Sequence, residues 1–157
     1  MAALTADVHI PHLGTPTKLA LPAVGADTFF AGALVYADAA NGKVQAVPAA
    51  GDVFLGIVAK QVVAAAADDL VEVYIDGVHA LAYGSAAEGD QDDVVALNIG
   101  TTQSDNEADM STMALAALAT NDILIGKMIG MNQEETTRAW VRLIPGWQWE
   151  DTDKAWI

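Results

Sequence analysis

The sequence predicts an all-β protein, either a β-sandwich or a β-tulip-like barrel, with an extended N-terminal arm and few or no helices. Two observations support this fold class. Short runs rich in valine, leucine and isoleucine recur along the 157 residues, and Asn-Gly, Gly-Asp and Asp-Gly pairs, which favour turns, lie between them. One run, Leu70–Ile75, alternates apolar and polar side chains as a half-buried strand does. The length suits one domain with a single core.

Residues 1–28 are interpreted as an extended arm rather than as part of a compact domain. Three prolines and two glycines exclude a helix in this segment. They are Pro11, Pro16, Pro22, Gly14 and Gly25. The segment also carries apolar side chains, so we expect a partner to cover part of it. We predict partner contacts at His9, Ile10, Pro11 and Leu13, with a partner protein or a second subunit.

A single β domain is expected over residues 29–145. Its predicted strands are Phe29–Tyr36, Lys43–Val47, Phe54–Val63, Leu70–Ile75, Val78–Tyr83, Val94–Ile99 and Thr136–Ile144. Asn41-Gly42 is expected to close a hairpin between the first two strands. Gly51-Asp52 and Asp76-Gly77 are expected to turn the chain between later strands. Ala64–Asp69 fits either a short helix or a loop.

A weak internal repeat relates residues 43–75 to residues 111–144. Asp-Val-Phe-Leu-Gly at 52–56 resembles Asp-Ile-Leu-Ile-Gly at 122–126, and each copy follows an Ala-rich stretch and precedes an alternating strand. The repeat bears on Ser111–Ala119, whose alanines and leucines also suit a helix. We favour an extended conformation there, because the repeat makes residues 111–118 equivalent to residues 43–50, which include a predicted strand.

Composition limits the partners of the chain. It has 21 acidic and 7 basic residues and a formal net charge of −14, and this field repels phosphate backbones and anionic membranes. We therefore expect neither nucleic acid nor membrane as a partner. No apolar run reaches the ~18 residues that span a bilayer, and a secretory signal is not expected at the N-terminus. The absence of cysteine excludes disulfides and thiolate chemistry.

Three runs, Gly32–Val35, Gly51–Val58 and Val71–Val78, resemble the tailed-phage capsid decoration (cement) proteins with a β-tulip-like fold. This family is similar in shape to the lambda head-stabilisation protein, and the resemblance spans roughly residues 8–145. It implies a homotrimer, made in the host cytoplasm, that sits on the outer capsid surface of the virion. It also implies that an N-terminal arm contacts the major capsid protein. The alternative is an extracellular β-module, such as a head fibre or adhesin domain, that binds carbohydrate or a host surface.

Patterns that carry catalysis or bind metals are weak. His9 and His12 are three residues apart, but Pro11 excludes a helix that would bring them together, and no third ligand lies nearby in the sequence. We interpret both as polar arm residues and expect His79 to be a surface or interface residue. The acidic stretches lack the glycine and glutamate that a calcium loop requires. We therefore expect no enzyme activity, no cofactor and no metal site.

The last predicted strand places both arginines of the chain beside a tryptophan. Arg138, Trp140 and Arg142 share one face, and guanidinium groups beside an indole suit cation–π or carboxylate contacts. Two interpretations remain open for this face. It can pair across strands with the face of Glu72, or it can bind a partner, in which case Arg138 and Trp140 are contact residues.

Residues 146–157 form a Trp-rich C-terminal tail that the family resemblance does not cover. Its tryptophans are Trp147, Trp149 and Trp156. Each can bury ~150–250 Å², so three exposed indoles would form a sticky patch. These side chains can pack on their own domain, on another subunit or on the capsid. Because interfaces are enriched in tryptophan, we favour a contact with the capsid or another subunit.

Overall fold

The computed structural model describes residues 6–47, 49, 51–82, 94–97, 110–113, 123–131 and 138–145. This part of the chain forms thirteen strands and contains no helix, which confirms the predicted all-β fold class. The strands are β1 His12–Leu13, β2 Lys18–Pro22, β3 Asp27–Phe29, β4 Leu34–Ala37, β5 Val44–Gln45, β6 Val53–Val58, β7 Val62–Ala64, β8 Leu70–Tyr74, β9 Val78–Ala82, β10 Val94–Leu97, β11 Met110–Met113, β12 Ile123–Met131 and β13 Arg138–Leu143.

Two large sheets and one small ribbon contain all these strands. The six-stranded sheet has the order β1-β9-β13-β12-β10-β11, the five-stranded sheet has the order β2-β8-β6-β4-β5, and β3 pairs with β7. All paired strands are antiparallel. Ala23, just after β2, forms a parallel bridge with Val44 of β5. The two edges of the five-stranded sheet therefore approach each other at this end.

Several predicted strands are shorter than expected. The predicted strand Phe29–Tyr36 is divided into β3 and β4 at Gly32, whose φ is +86° and where an added Cβ would lie 2.2 Å from the Val8 carbonyl oxygen. The predicted strand Phe54–Val63 is likewise divided into β6 and β7. Asn41-Gly42 does lie in a hairpin, between β4 and β5. The last hydrogen bond before the loop joins the Asp38 N–H to the Lys43 carbonyl, so the loop comprises residues 39–42 and is longer than two residues.

The N-terminal segment is extended, but its described part is built into the sheets rather than standing apart from a compact domain. β1 pairs with β9, and β2 pairs with β8 along its whole length. Ala23 is fully buried in a core cluster. This interpretation of residues 1–28 is thus corrected for residues 6–28, because the edges of both sheets take up backbone hydrogen bonds from this segment.

The two large sheets repeat the same pairing pattern. In the five-stranded sheet Val35 is opposite Gly56 and Tyr36 is opposite Phe54, with a bulge between the two pairs. In the six-stranded sheet Val95 is opposite Gly126 and Ala96 is opposite Leu124, again with a bulge. Each of the five strands of the five-stranded sheet has an equivalent strand in the six-stranded sheet. The pairs are β2 with β9, β4 with β10, β5 with β11, β6 with β12 and β8 with β13.

The pentapeptides 52–56 and 122–126 are similar in sequence, and their described residues 53–56 and 123–126 lie at the same place in the two sheets. Their last residues, Gly56 and Gly126, leave no room for a side chain, since an added Cβ would lie 1.9 Å from the carbonyl oxygen of Tyr74 or of Arg142, respectively. In the first copy the Asp52 carboxylate accepts the backbone N–H groups of Ala39 at 3.0 Å and of Ala49 at 2.7 Å. The correspondence also covers β11, which is extended over Met110–Met113, whereas residues 114–119 lie outside the described part.

Two clusters of buried side chains form the core. One lies between the large sheets, where Leu34, Tyr36, Phe54 and Ile57 of the five-stranded sheet meet apolar side chains of β9, β12 and β13. The other lies inside the curved five-stranded sheet and is covered by the ribbon and connecting segments. The inner face of the six-stranded sheet therefore packs on the outer face of the five-stranded sheet.

Candidate partner-binding surface

The N-terminal segment forms an edge strand of each large sheet. We call residues 9–22, which include β1 and β2, the N-terminal rim. Leu13 of β1 is 55% exposed and Leu19 of β2 is 45% exposed. Asp76 holds the rim in place, because its carboxylate accepts the Thr17 N–H at 2.7 Å and the Thr17 hydroxyl at 2.8 Å. The rim thus presents apolar side chains from a fixed backbone.

The outer edge of β2 can pair with a further strand. The Ile75 N–H donates to the Thr17 carbonyl at 3.0 Å, so the backbone groups of alternate residues, Lys18 and Ala20, point away from β8. Pro22 has no N–H to offer. No strand of the described part of the chain pairs with this edge. On β9, the equivalent strand, β1 covers the corresponding edge, and the Ala80 N–H donates to the Pro11 carbonyl at 2.8 Å.

The predicted contact residues of the rim occupy different environments. His9 and Leu13 are exposed, and Pro11 is half-buried. Ile10 packs against the core between the sheets, partly buried. Leu13 and His9 are therefore available to a partner, whereas a substitution at Ile10 would also disturb the fold.

All three histidines of the chain line one cavity of about 480 Å³ between the rim and the sheets. The ring centroids of His12 and Tyr74 are 5.5 Å apart, those of His12 and His79 are 5.7 Å apart, and those of Tyr74 and His79 are 5.8 Å apart. Folding thus brings His79 next to the arm histidines, which their positions in the sequence did not indicate. The described residues contain no group of three acidic, histidine or cysteine side chains placed to hold a metal ion.

His79 is buried, which corrects the expectation of a surface position. It shares the inward face of β9 with Leu81 rather than facing solvent. Its Nε2–H donates to the Asp76 carbonyl at 2.9 Å, so Nδ1 is the unprotonated acceptor, and Nδ1 is buried without a hydrogen-bond partner among the described residues. Burial lowers the pKa of His79, although the Asp76 carbonyl opposes the shift. Burial therefore favours the neutral imidazole over the charged form. The alternation with Leu81 was the signal that could have identified this burial from the sequence.

A second surface is the outer face of the six-stranded sheet, which we call the cationic face. It carries Lys127, Arg138, Trp140 and Arg142. Ala139, Val141 and Leu143 of the same strand point the other way, into the core. Lys127 lies directly opposite Arg142 in the register, so the two share this face. Three of the seven basic residues of the chain therefore lie together.

The cationic face does not pair across strands with Glu72. Arg138 and Arg142 lie on β13, whose neighbours are β9 and β12, whereas Glu72 lies on β8 of the other sheet. The Arg138 guanidinium donates to the Ala80 carbonyl at 2.9 Å. The register also places Leu13 opposite Val78 and Val78 opposite Arg142, so Leu13 of the rim borders the cationic face.

The structure therefore brings three of the predicted contact residues, Leu13, Arg138 and Trp140, onto one face of one sheet. Trp147, Trp149 and Trp156 lie outside the described residues.

Comparison with protein-family models, with curated proteins and with solved structures gave no match. Within the described ranges, the chain has no helix that is long and apolar enough to cross a membrane.

Proposed function

We propose that the chain is a non-catalytic structural protein that binds the outer surface of a tailed-phage capsid as a trimer and stabilises the shell. The observation that carries this proposal is the N-terminal rim, which presents Leu13 and Leu19 and open backbone groups at the edge of an acidic protein. The resemblance to decoration proteins supports it, because that family contacts the major capsid protein through an N-terminal arm.

The proposed contact adds a segment of the major capsid protein beside β2. The backbone groups of Lys18 and Ala20 supply hydrogen bonds, as in other cases where an extended peptide joins an exposed sheet edge. Leu13 and Leu19 contribute apolar burial, worth about 1 kcal/mol each for half-exposed leucines. Because the assembled shell binds the trimer and separated capsomers do not, each contact raises the free energy needed to disassemble the shell. Three linked sites add avidity.

The test is binding of purified protein to expanded empty shells, measured by co-sedimentation. The double substitution Leu13→Asp and Leu19→Asp removes the apolar contact and buries charge in its place. We expect affinity to fall at least about 30-fold, corresponding to ~2 kcal/mol per site. Val63→Asp is the matched control, because Val63 is 70% exposed on β7 and lies outside the rim. Binding of the double variant as tight as that of the native chain would contradict the proposal.

Point substitutions are more informative than deletion of the arm. Removing residues 1–16 would take away β1, which covers the edge of β9, and the Ile10 side chain that packs on the core. A deleted chain could then lose binding because it unfolds. Leu13 and Leu19 are both half-exposed, so their substitution leaves the sheets intact.

The alternative function, an extracellular module that binds carbohydrate, has one observation in its favour. The cavity beside the rim is lined by the Tyr74 and His12 rings, and concave sites with a few polar groups suit small ligands. Glycan binding by free protein that Tyr74→Ala abolishes and Leu13→Asp leaves unchanged would favour this alternative over shell binding.

A further inference from the structure

Three aromatic rings beside the N-terminal rim form a compact group, which we call the histidine cluster. It consists of His12, Tyr74 and His79, whose ring centroids lie between 5.5 and 5.8 Å from one another. Strand pairing produces this arrangement, because His12 of β1 lies directly opposite His79 of β9. The two imidazoles therefore meet across the pairing that attaches β1 to the six-stranded sheet.

We propose that the histidine cluster is a pH-sensitive switch, in which β1 is held against β9 at neutral pH and is released when His79 takes up a proton. His79 is fully buried, and its Nε2–H already donates to the Asp76 carbonyl at 2.9 Å. A second proton would go to Nδ1, which is buried and has no hydrogen-bond partner among the described residues. A buried N–H group without an acceptor is unfavourable, so the protonated ring favours an arrangement in which water reaches Nδ1.

The neighbours of His79 on the surrounding elements either favour this release or leave it unopposed. His12 on β1 adds a like charge when it is protonated, and like charges on directly opposite residues destabilise strand pairing. Val141, opposite His79 on β13, is apolar, and Tyr74 on β8 contributes a phenol ring. His9, which precedes β1, lines the same cavity and is another group that becomes cationic in acid. None of these side chains supplies an anion to a protonated His79.

Two carboxylates near the cluster oppose the release without reversing it. The Asp76 carboxylate accepts the Thr17 N–H and hydroxyl, and the Asp7 carboxylate accepts the Ala31 N–H at 2.9 Å. Burial lowers the pKa of His79 more than the Asp76 carbonyl and carboxylate raise it. The closed form therefore binds a proton less readily than an open form in which water surrounds the ring. Opening consequently becomes more favourable as pH falls.

β1 is a part of the fold that can open with little loss of other structure. It has two residues, His12 and Leu13, which are both exposed, and it lies at the edge of its sheet. β9 stays in place, because β13 pairs with it over five residue pairs. The Ala80 N–H, which donates to the Pro11 carbonyl at 2.8 Å, loses its acceptor when this segment leaves. Such edge elements open at a lower free energy than the core.

Hydrogen exchange of the Ala80 amide in the native chain, divided by the intrinsic exchange rate at each pH, measures this opening. The histidine of the open form has an ordinary pKa near 6.5, so uptake of one proton should increase opening by about 5- to 30-fold between pH 7.5 and 5.0. The Val24 amide, which donates to the Val44 carbonyl at 2.9 Å outside the cluster, is the internal control and should keep its protection. Unchanged protection at Ala80, or an equal loss at Ala80 and Val24, would overturn the proposal.

Substitution of single histidines shows which ring is responsible. In His79→Gln the side chain cannot take up a proton, so the pH dependence of Ala80 protection should disappear. His9→Gln is the matched control, because His9 is exposed, lines the same cavity and is not a member of the cluster; it should keep the native pH dependence. A native pH dependence in His79→Gln, or its loss in His9→Gln, would overturn the assignment to His79. If His79→Gln does not fold, the comparison of Ala80 with Val24 in the native chain still decides.

The consequence for partner binding rests on the proposed function. Leu13 follows His12 in β1, so an open β1 no longer presents Leu13 from a fixed backbone, and shell affinity should fall in proportion to the closed fraction. The exchange data give this fraction, and co-sedimentation with shells at pH 7.5 and 5.0 measures the affinity. Shell binding that does not follow the measured opening would contradict the Leu13 contact. Absence of opening in the free protein would contradict the switch, whether or not the chain binds shells.

Discussion

Replacing Gly126 with alanine should destabilise the protein through one atom. The added Cβ would lie 1.9 Å from the Arg142 carbonyl oxygen, whereas carbon–oxygen contacts between strands are about 3.3 Å. The two strands must therefore separate locally by about 1.4 Å. A backbone hydrogen bond lengthened by that amount is lost, and losing two or three at about 1 kcal/mol each costs about 2–3 kcal/mol.

The repeat makes this prediction more exacting, because Gly56 faces the Tyr74 carbonyl oxygen at the same 1.9 Å. Gly56→Ala and Gly126→Ala should therefore cost similar amounts in urea unfolding followed by circular dichroism. Gly25→Ala is the control, since an added Cβ there meets nothing within 4 Å. It should be neutral or slightly stabilising. A cost below about 0.5 kcal/mol for Gly126→Ala would refute the inferred close contact between Gly126 and the Arg142 carbonyl group.

Three further predictions concern burial and assembly. Because burial holds the pKa of His79 below its ordinary value, the native state binds fewer protons than the unfolded state, and stability is lost as pH falls below about 6.5. Between pH 7.5 and 5.5 the native chain should lose at most about 1.4 kcal/mol of its free energy of unfolding, and the His79→Gln variant should lose less. Equal losses in the two proteins would contradict the burial of His79. Tyr36→Phe should stabilise the protein by about 1 kcal/mol in urea unfolding, because the Tyr36 hydroxyl is buried without a hydrogen-bond partner in the described part of the chain; a destabilised variant would contradict this. Light scattering should give the mass of a trimer, and a monomer at high concentration would count against the proposed assembly.

Local signals predicted two of the strands well. The alternation of Leu70–Ile75 matches β8, in which Val71 and Val73 are buried. The alternation of Thr136–Ile144 matches β13, whose apolar side chains enter the core. Such patterns succeed because the period of a strand fixes which side chains share a face, whatever the strand pairs with.

Long-range pairing could not be read from the same signals. Asp76-Gly77 does turn the chain, but β8 and β9 on either side of it enter different sheets. The N-terminal segment looked irregular because its prolines interrupt it, yet its short strands pair with β9 and β8, about sixty positions away in sequence. Prolines and short strands are compatible with sheet edges, which is where this segment lies.

The candidate surface was predicted in part. The spacing of Arg138, Trp140 and Arg142 showed that they share a face. Their separation from Glu72 and their proximity to Leu13 depend on which strands are neighbours, and no local pattern encodes that. The meeting of His79 with His12 has the same origin, because it requires β1 to pair with β9.

The most direct test of the proposed function is a cryo-EM map of expanded empty tailed-phage shells to which the purified chain has been added. We expect trimeric density on the outer capsid surface, fitted by the two sheets, with Leu13 and Leu19 of the rim against the major capsid protein. Density with the rim facing solvent would contradict the proposed contact. An outer capsid surface without this chain would contradict the proposed function itself.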